Sequence, residues 1–333
     1  MKKIISKALV QANQSLSEDR LVGLPHETNL VSGYSQPGFV GATDMAPNVD
    51  VSSERGEWRE YGADGMQLIE GGIEMPTGMD RKEIEIEVGK DAFTTVKVGL
   101  EARVYDDEQE TEDYDVIKER KLAAVANGIL LYVEYLVSKI VQNVANFAGG
   151  FSDTKVLATA RWNDYVNSDP TADIRTGCLA LEDTHEVDRP EFVVGLPMDV
   201  WLIASNHPKL QQPIPGTAIA QPPTLEYLAK LWNVKQVKVL FGKYSYNVGD
   251  KKDPRNWRFK RLWTNCVVIY RPITKPNPQS PLWLARPHRQ GYPKVMPPYR
   301  DNRKDADVYP TNDKFGVLQR ANNRAYLIDR VLA

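Results

Sequence analysis

Gly33-Tyr34-Ser35-Gln36-Pro37-Gly38 sets a serine in nearly the spacing of a G-x-S-x-G nucleophile elbow. An elbow needs a strand before the serine and a helix after it, so that a strained turn presents Oγ. Here Pro37 takes the place of the second glycine and neither element is foreshadowed, so no nucleophile is expected. Asp183, His185 and Glu186 make up a local cluster of acid and base. Its place at the start of a loop gives it the character of a solvated group. Cys178 and Cys266 lie far apart without C-x-x-C spacing, which argues against a disulfide framework and a zinc knuckle. The sequence has no G-x-x-x-x-G-K-[ST] or G-x-G-x-x-G phosphate cradle and no H-E-x-x-H pair. The expectation is a chain with no catalytic residue, no cofactor and no metal.

Charge leaves two features to explain. Arg286, His288, Arg289, Lys294, Arg300, Arg303 and Lys304 gather late in the chain, with Trp283, Tyr292 and Tyr299 among them. Such a cluster can meet phosphates through salt-sensitive contacts, form an ordinary basic rim, or complement an acidic face on another subunit. The second feature is the acidic run of Asp106, Asp107, Glu108, Glu110, Glu112, Asp113 and Asp115. Its spacing is not that of a calcium loop, and the reading is a solvated helix start. With 42 Lys plus Arg against 44 Asp plus Glu, the net charge is -2, so no global field draws the molecule to nucleic acid or an anionic membrane.

The elements that position these groups change character along the 333 residues, enough chain for one large core or two modest ones. Lys3 to Leu16 is a short amphipathic helix candidate. Gly23, Pro25, Gly33, Pro37, Gly38, Gly41 and Pro47 then deny residues up to about 50 a continuous helix or strand. That segment is an extended arm, either a loose tail or a strap on neighbouring subunits. Its Leu21, Val22, Leu24, Leu30, Val31, Tyr34, Phe39 and Val40 favour the strap. Met1-Lys2-Lys3-Ile4-Ile5 imitates a signal peptide, but Lys7 interrupts the apolar run, and a cytosolic chain is expected.

From Arg55 to Tyr105 the period is two. Ile84, Ile86 and Val88 alternate with glutamates, and Val96, Val98, Leu100, Ala102 and Val104 alternate with Lys97, Gly99, Glu101 and Arg103, as half-buried antiparallel strands require. Gly71-Gly72 and Pro76-Thr77-Gly78 mark turns between Trp58, Tyr61, Met66, Ile69, Ile73 and Met75. A two-stranded excursion cannot bury so many apolar groups alone. They meet either a partner surface or the excursion's own domain.

The acidic run suits a helix N-terminus and Gly149-Gly150 suits a C-terminal stop. Some 35 residues lie between, on the order of 50 Å of helix. Leu122 to Phe147 is the most apolar part, but Glu134 and Lys139 leave an uncharged run of about a dozen residues against the ~20 of a membrane span, so it reads as a buried spine. Glu191 to Gly195 is a buried-looking strand running into helix Leu196 to Ala204, which stops at Asn206-His207-Pro208. A helix from Thr224 to Trp232, a strand from Val234 to Phe241 and a strand from Leu262 to Tyr270 follow. The apolar end with Tyr326, Leu327, Ile328, Val331 and Leu332 is expected as a strand pairing into the sheet that carries the spine.

Arm, two-stranded loop, long helix, strand-helix-helix-strand stretch and returning strand, in this order, resemble the major capsid proteins of tailed bacteriophages. The resemblance implies the α+β Hong Kong 97-like fold. It reads residues 1–50 as the N-terminal arm, 51–105 as the E-loop with flanking strands, 106–188 as the P-domain with its spine helix, 189–272 as the A-domain, and 273–333 as the C-terminal return to the P-domain. It further implies self-assembly into pentamers and hexamers of an icosahedral or prolate head around double-stranded DNA, assembled in the host cytoplasm, with scaffolding, portal and decoration proteins as partners and no membrane. Trp58, Tyr61, Met66, Ile73, Met75, Phe39 and Tyr34 become candidate inter-subunit contacts. Arg286, Arg289, Lys294, Arg300, Arg303 and Lys304 become candidate DNA-facing or inter-subunit basic residues. An encapsulin-like compartment and a soluble hydrolase centred on His185 are the competing readings.

Overall fold

Val193–Pro197, Cys266–Tyr270 and Ala325–Asp329 are almost wholly apolar, and nearly every residue in them is buried. Continuous apolar runs of this kind belong to strands covered on both faces. They form the middle of a five-stranded sheet in the computed structural model, which describes residues 38–61, 88–109, 113–147, 149–184, 189–213, 220–249, 253–273 and 282–333. The strand order is Ser152–Thr154, Ala325–Asp329, Cys266–Tyr270, Val193–Pro197, Gln236–Leu240. Val193–Pro197 and Gln236–Leu240 run parallel, joined through helices Met198–Ala204 and Leu225–Trp232.

Helix Pro170–Glu182 and those two helices cover one face. Ile174, Cys178 and Leu181 meet Val194, Leu196, Val267, Ile269, Tyr326 and Ile328 in a common core with Leu228 and Trp232. Full burial of each large aliphatic side chain there stabilises the fold by about 1.5–3 kcal/mol. Local signals place the helices. Asp169 Oδ1 accepts from the amides of Thr171 and Ala172 at the start of Pro170–Glu182, and Thr224 Oγ1 accepts from Tyr227 N. Asn233, in the left-handed region at φ 54°, ends the second of these.

Two corrections follow. The C-terminal strand Ala325–Asp329 pairs antiparallel with Cys266–Tyr270 and parallel with Ser152–Thr154, not with a sheet carrying the spine. Two-sided burial of Tyr326, Leu327 and Ile328 demands an interior position, and this sheet supplies it. The spine is a 28-residue helix, Tyr114–Val141, roughly 42 Å long and shorter than the expected run to Phe147. Asn146 Nδ2 donates to Ile140 O at 2.8 Å and Gln142 Nε2 to Ser138 O at 3.1 Å, so side-chain amides satisfy the last carbonyls and a short 3-10 turn, Val144–Asn146, takes over. At the other end Asp113 Oδ1 accepts from Asp115 N at 3.2 Å. The helix is long and apolar enough to cross a membrane, yet Ile117, Leu122, Val133, Val137 and Val141 are all buried within the protein.

Contacts divide the described chain into two units. One holds Thr95–Leu130 and Arg289–Phe315. In it strand Val96–Tyr105 pairs along its whole length with Ala306–Phe315, whose other edge carries Lys294–Val295 and Tyr299–Asp301. Ala102 and Val104 are buried as the alternation requires, whereas Val96 and Leu100 on the same face stay exposed.

The other unit holds the five-stranded sheet, the end of the spine helix and residues 38–61 and 88–94. Here Arg55–Tyr61 pairs antiparallel with Val88–Thr94, so the period-two region is not one ribbon: Val96–Tyr105 belongs to a different sheet. Asn48–Val51 and Leu318–Gln319 flank Leu284–Arg289 nearby. A second two-stranded hairpin, Lys243–Asn247 with Trp257–Arg261, forms a sheet of its own.

Candidate functional site

Glu134 sits in the apolar stretch of the spine helix with no exposed surface. Its Oε1 accepts from Trp263 Nε1 at 2.6 Å and from Gly41 N at 3.3 Å, and its Oε2 accepts from Ala42 N at 2.6 Å. These amides open the π-helical turn Gly41–Met45, so the spine carboxylate acts as its cap. A β-carbon at Gly41 would lie 2.7 Å from Trp263 Cζ2 and 2.9 Å from Glu134 Oε2, which is why glycine stands there. Met45 reaches the second face of the five-stranded sheet, close to Gly195. Phe39, Val40, Ala42, Met45 and Ala46 are buried, and Asp44 pairs with Lys238 of strand Gln236–Leu240. Burial pushes the Glu134 carboxyl up to about 7, against the opposing pull of the Trp263, Ala42 and Gly41 hydrogen bonds. Held wholly inside the chain, Glu134 works as a latch on the backbone that follows residue 37.

The base of the Arg55–Tyr61 ribbon is a second fixed point. The Trp58 and Phe93 rings meet diagonally across the strands, centroids 4.8 Å apart, packed with Val49, Val51, Leu282 and Ala285. Arg320 lies over the Trp58 ring at 5.1 Å. Of the proposed inter-subunit contacts, Trp58 and Phe39 are therefore buried inside their own chain, 3% and 6% exposed, and not available to a neighbour. The ribbon's root folds back on its own domain because a tryptophan of this area is worth most where it is desolvated. Tyr61 closes the described part of the first strand, while Tyr34, Met66, Ile73 and Met75 lie outside the described residues. So do Ser35, His185 and Glu186; Asp183 ends helix Pro170–Glu182.

The basic candidates separate. Arg300 is tied to Asp106 through both terminal nitrogens and reaches Asp307 Oδ1 at 3.5 Å. Its partner thus comes from the acidic run of the same chain. The Arg300 guanidinium holds the Asp106 carboxyl below its usual range, and Lys121, 2.7 Å from Glu108, does the same there. Arg286 bonds Asn48, and Lys294 covers the Tyr292 ring at 4.9 Å together with Lys314 at 5.0 Å. Arg289 is half-buried, whereas Arg303 and Lys304 are exposed. Cys178 and Cys266 are buried free thiols, the first pushed up to about 12 by burial. Among the described residues no group of three or more His, Cys, Asp or Glu is placed to hold a metal ion.

No family model matches the chain, and no curated protein sequence does. Solved structures do. A phage-related protein from Bordetella bronchiseptica RB50 is 21% identical, with 93% of this chain and 98% of that chain covered at a TM-score of 0.74. A chain of the capsid structure of cyanophage P-SCSP1u is 9% identical, with 94% and 90% covered at 0.56. A chain of Microbacterium phage Oxtober96 is 9% identical, with 95% and 93% covered at 0.51. The chain has the Hong Kong 97-like fold. At these identities the likeness is one of architecture.

Within the Hong Kong 97-like fold the latch and the ribbon root are what the sequence reading missed as connections. Glu134 was visible as the lone acid in an apolar helical run, a signal that a buried partner exists. Nothing in the local sequence pointed to Trp263 or to residues 41 and 42, which are remote in the chain.

Proposed function

We propose that this chain is the major shell protein of a phage head, assembling as pentamers and hexamers around double-stranded DNA. The observation that carries the reading is the correspondence of the fold, along nearly the whole of both chains, with the chain of the cyanophage capsid structure. In this reading residues 1–50 are the arm, 51–105 the E-loop, 106–188 the P-domain, 189–272 the A-domain and 273–333 the return. Each subunit offers a rigid sheet-and-helix core that sets capsomer shape. Segments rooted in that core reach neighbours, and closed symmetry multiplies many weak contacts. The Glu134 latch and the Trp58–Phe93 root supply what such segments need: firm points from which a strap can pull.

Tyr61, Met66, Ile73, Met75 and Tyr34 remain the proposed apolar contacts between subunits. Arg303 and Lys304 are the exposed members of the basic group proposed to face DNA or a neighbour. Scaffolding, portal and decoration proteins complete the head, assembled in the host cytoplasm as part of the virion.

Expression together with the neighbouring genes, followed by gradient sedimentation and nuclease treatment, tests the reading. Fast-sedimenting particles holding nuclease-protected DNA are expected. Particles holding a co-purified enzyme in place of DNA would replace the phage head with a storage compartment. A chain that sediments only as a monomer would overturn both.

A further inference from the structure

The hairpin Lys243–Asn247 with Trp257–Arg261 is an unusual surface. Of its ten strand residues eight are exposed and two half-buried. In the register Lys243 faces Arg261, Tyr244 faces Lys260, Ser245 faces Phe259, Tyr246 faces Arg258 and Asn247 faces Trp257. One side therefore shows Trp257 and Phe259, with Lys243 Nζ 5.2 Å from the Phe259 ring centre. The other shows Tyr244 and Tyr246, centroids 6.5 Å apart, beside Arg258 and Lys260. Phe259 is 71% exposed. Two strands alone are marginal in water, and aromatic groups left wet on both faces forgo the burial that would hold them.

Charge decides what covers it. Residues 243–261 hold seven basic and two acidic side chains in a chain whose net charge is -2. Identical hairpins repel one another, so an acidic surface that also carries apolar groups is the better match. The same sequence contains such a segment. Residues 62–87 hold seven acidic and two basic side chains, the mirror of the hairpin, together with Met66, Leu68, Ile69, Ile73, Met75 and Met79. The paired strands Arg55–Tyr61 and Val88–Thr94 bound this segment on either side, rooted by Trp58 and Phe93.

We propose that residues 62–87 of one copy dock on the Lys243–Arg261 hairpin of a second copy. The proposal rests on the shell reading and names the partner surface of the apolar contacts assigned to this segment there. Opposite charge sets orientation and excludes hairpin-on-hairpin pairing, while methionines, soft and adaptable, fill the gaps between aromatic rings.

The test uses the full chain. Unlabelled and 15N-labelled protein are dissociated, mixed, reassembled, and treated with a zero-length carboxyl-to-amine cross-linker before mass spectrometry. Links joining Glu70, Glu74, Glu83 or Glu85 to Lys243, Lys251, Lys252 or Lys260 are expected in mixed-isotope pairs. Same-isotope links alone would place the contact within one chain and overturn the proposal. Assemblies without links between the two segments would overturn it and leave the shell reading standing. A wild-type chain that never assembles would end the shell reading and this proposal with it. As an independent arm, the variant Arg258→Glu/Lys260→Glu/Arg261→Glu, with folding checked by circular dichroism, is expected to yield at least tenfold fewer particles. Adding Glu70→Lys, Glu74→Lys and Glu85→Lys is expected to restore them. Loss of bound nucleic acid in the hairpin variant, without that rescue, would assign the surface to nucleic acid instead.

Discussion

Trp263 donates its indole N–H to Glu134 Oε1 at 2.6 Å, joining the spine helix to the chain just before strand Cys266–Tyr270. With the amides of Gly41 and Ala42 on the same carboxylate, three distant parts of the chain share one buried acceptor. Glu134→Gln replaces an acceptor with an NH2 group facing N–H donors, and a buried donor left without a partner costs about 1–3 kcal/mol. Urea denaturation of this variant is expected to show a loss of that size. Trp263→Phe alone costs its own increment, and the double variant loses less than the sum, because both changes break the same bond.

The same carboxyl gives stability a pH dependence of known sign. Its folded pKa, about 7, lies above the ordinary 4.5 because burial disfavours the charge. The folded chain therefore holds the proton more tightly than the unfolded one. This contribution is complete below about pH 4.5 and is lost as pH rises through about 7. At about 1.4 kcal/mol per pKa unit it amounts to roughly 3–4 kcal/mol at most. Asp44 raises this pKa further, and Lys238 pairs with Asp44. Wild-type urea midpoints are expected to fall between pH 5.5 and 8 more than those of Glu134→Gln. Equal slopes would show that Glu134 does not titrate in this range.

His207 acts with the opposite sign. It is fully buried, its Nδ1 accepts from Lys209 N at 3.2 Å, and its Nε2 lies 3.0 Å from Ser168 Oγ. Ser168 Oγ donates onward to Asp164 O at 2.6 Å, so Nε2 carries the proton that Ser168 accepts. Burial, with Lys209 nearby, holds the imidazole below its usual range. The folded chain prefers it neutral, and stability from this group is lost as pH falls below about 6.5. His207→Gln is expected to lower stability near neutrality yet flatten the loss on its acid side, read by thermal unfolding from pH 7 to 5.

Gly177 marks where helix Pro170–Glu182 lies against the five-stranded sheet. A β-carbon there would come within 2.7 Å of Ile269 Cδ1 and of Tyr326 Cδ1. Both neighbours belong to the packed core, so Gly177→Ala is expected to cost about 1–3 kcal/mol by overpacking. Unchanged denaturation would mean that helix and sheet can separate slightly without penalty.

Removing residues 1–45, the natural cut for an arm read from sequence, deletes Phe39, Val40, Ala42 and Met45 from the core and both amides from Glu134. Removing residues 1–37 spares all of them. The shorter deletion is expected to keep the wild-type urea midpoint and the longer one to lower it, while both fail to form stable shells. Intact particles from the shorter deletion would show the arm to be dispensable.

Much of the fold was written locally. Thr224 with Leu225 to Trp232, the apolar run through Leu196 and the two-residue alternation of Val96 to Val104 each declare their structure through a cap or a period. Pairing was less legible, because a period fixes which side chains share a face but not which strand lies alongside. Val96–Tyr105 joined Ala306–Phe315 from two hundred residues away, and Ala325–Asp329 joined Cys266–Tyr270. The sites were least legible. Trp58 carries the same aromatic signal whether it faces a neighbour or its own Phe93, and Arg300 gives no sign in sequence that Asp106 awaits it.

The central claim is assembly. Negative-stain electron microscopy of the purified chain, with light scattering for mass, measures it directly. Hollow closed particles, or rings of five and six subunits, with masses that are large multiples of 37.6 kDa, are expected. Monomers under every condition of salt, pH and co-expression would contradict it.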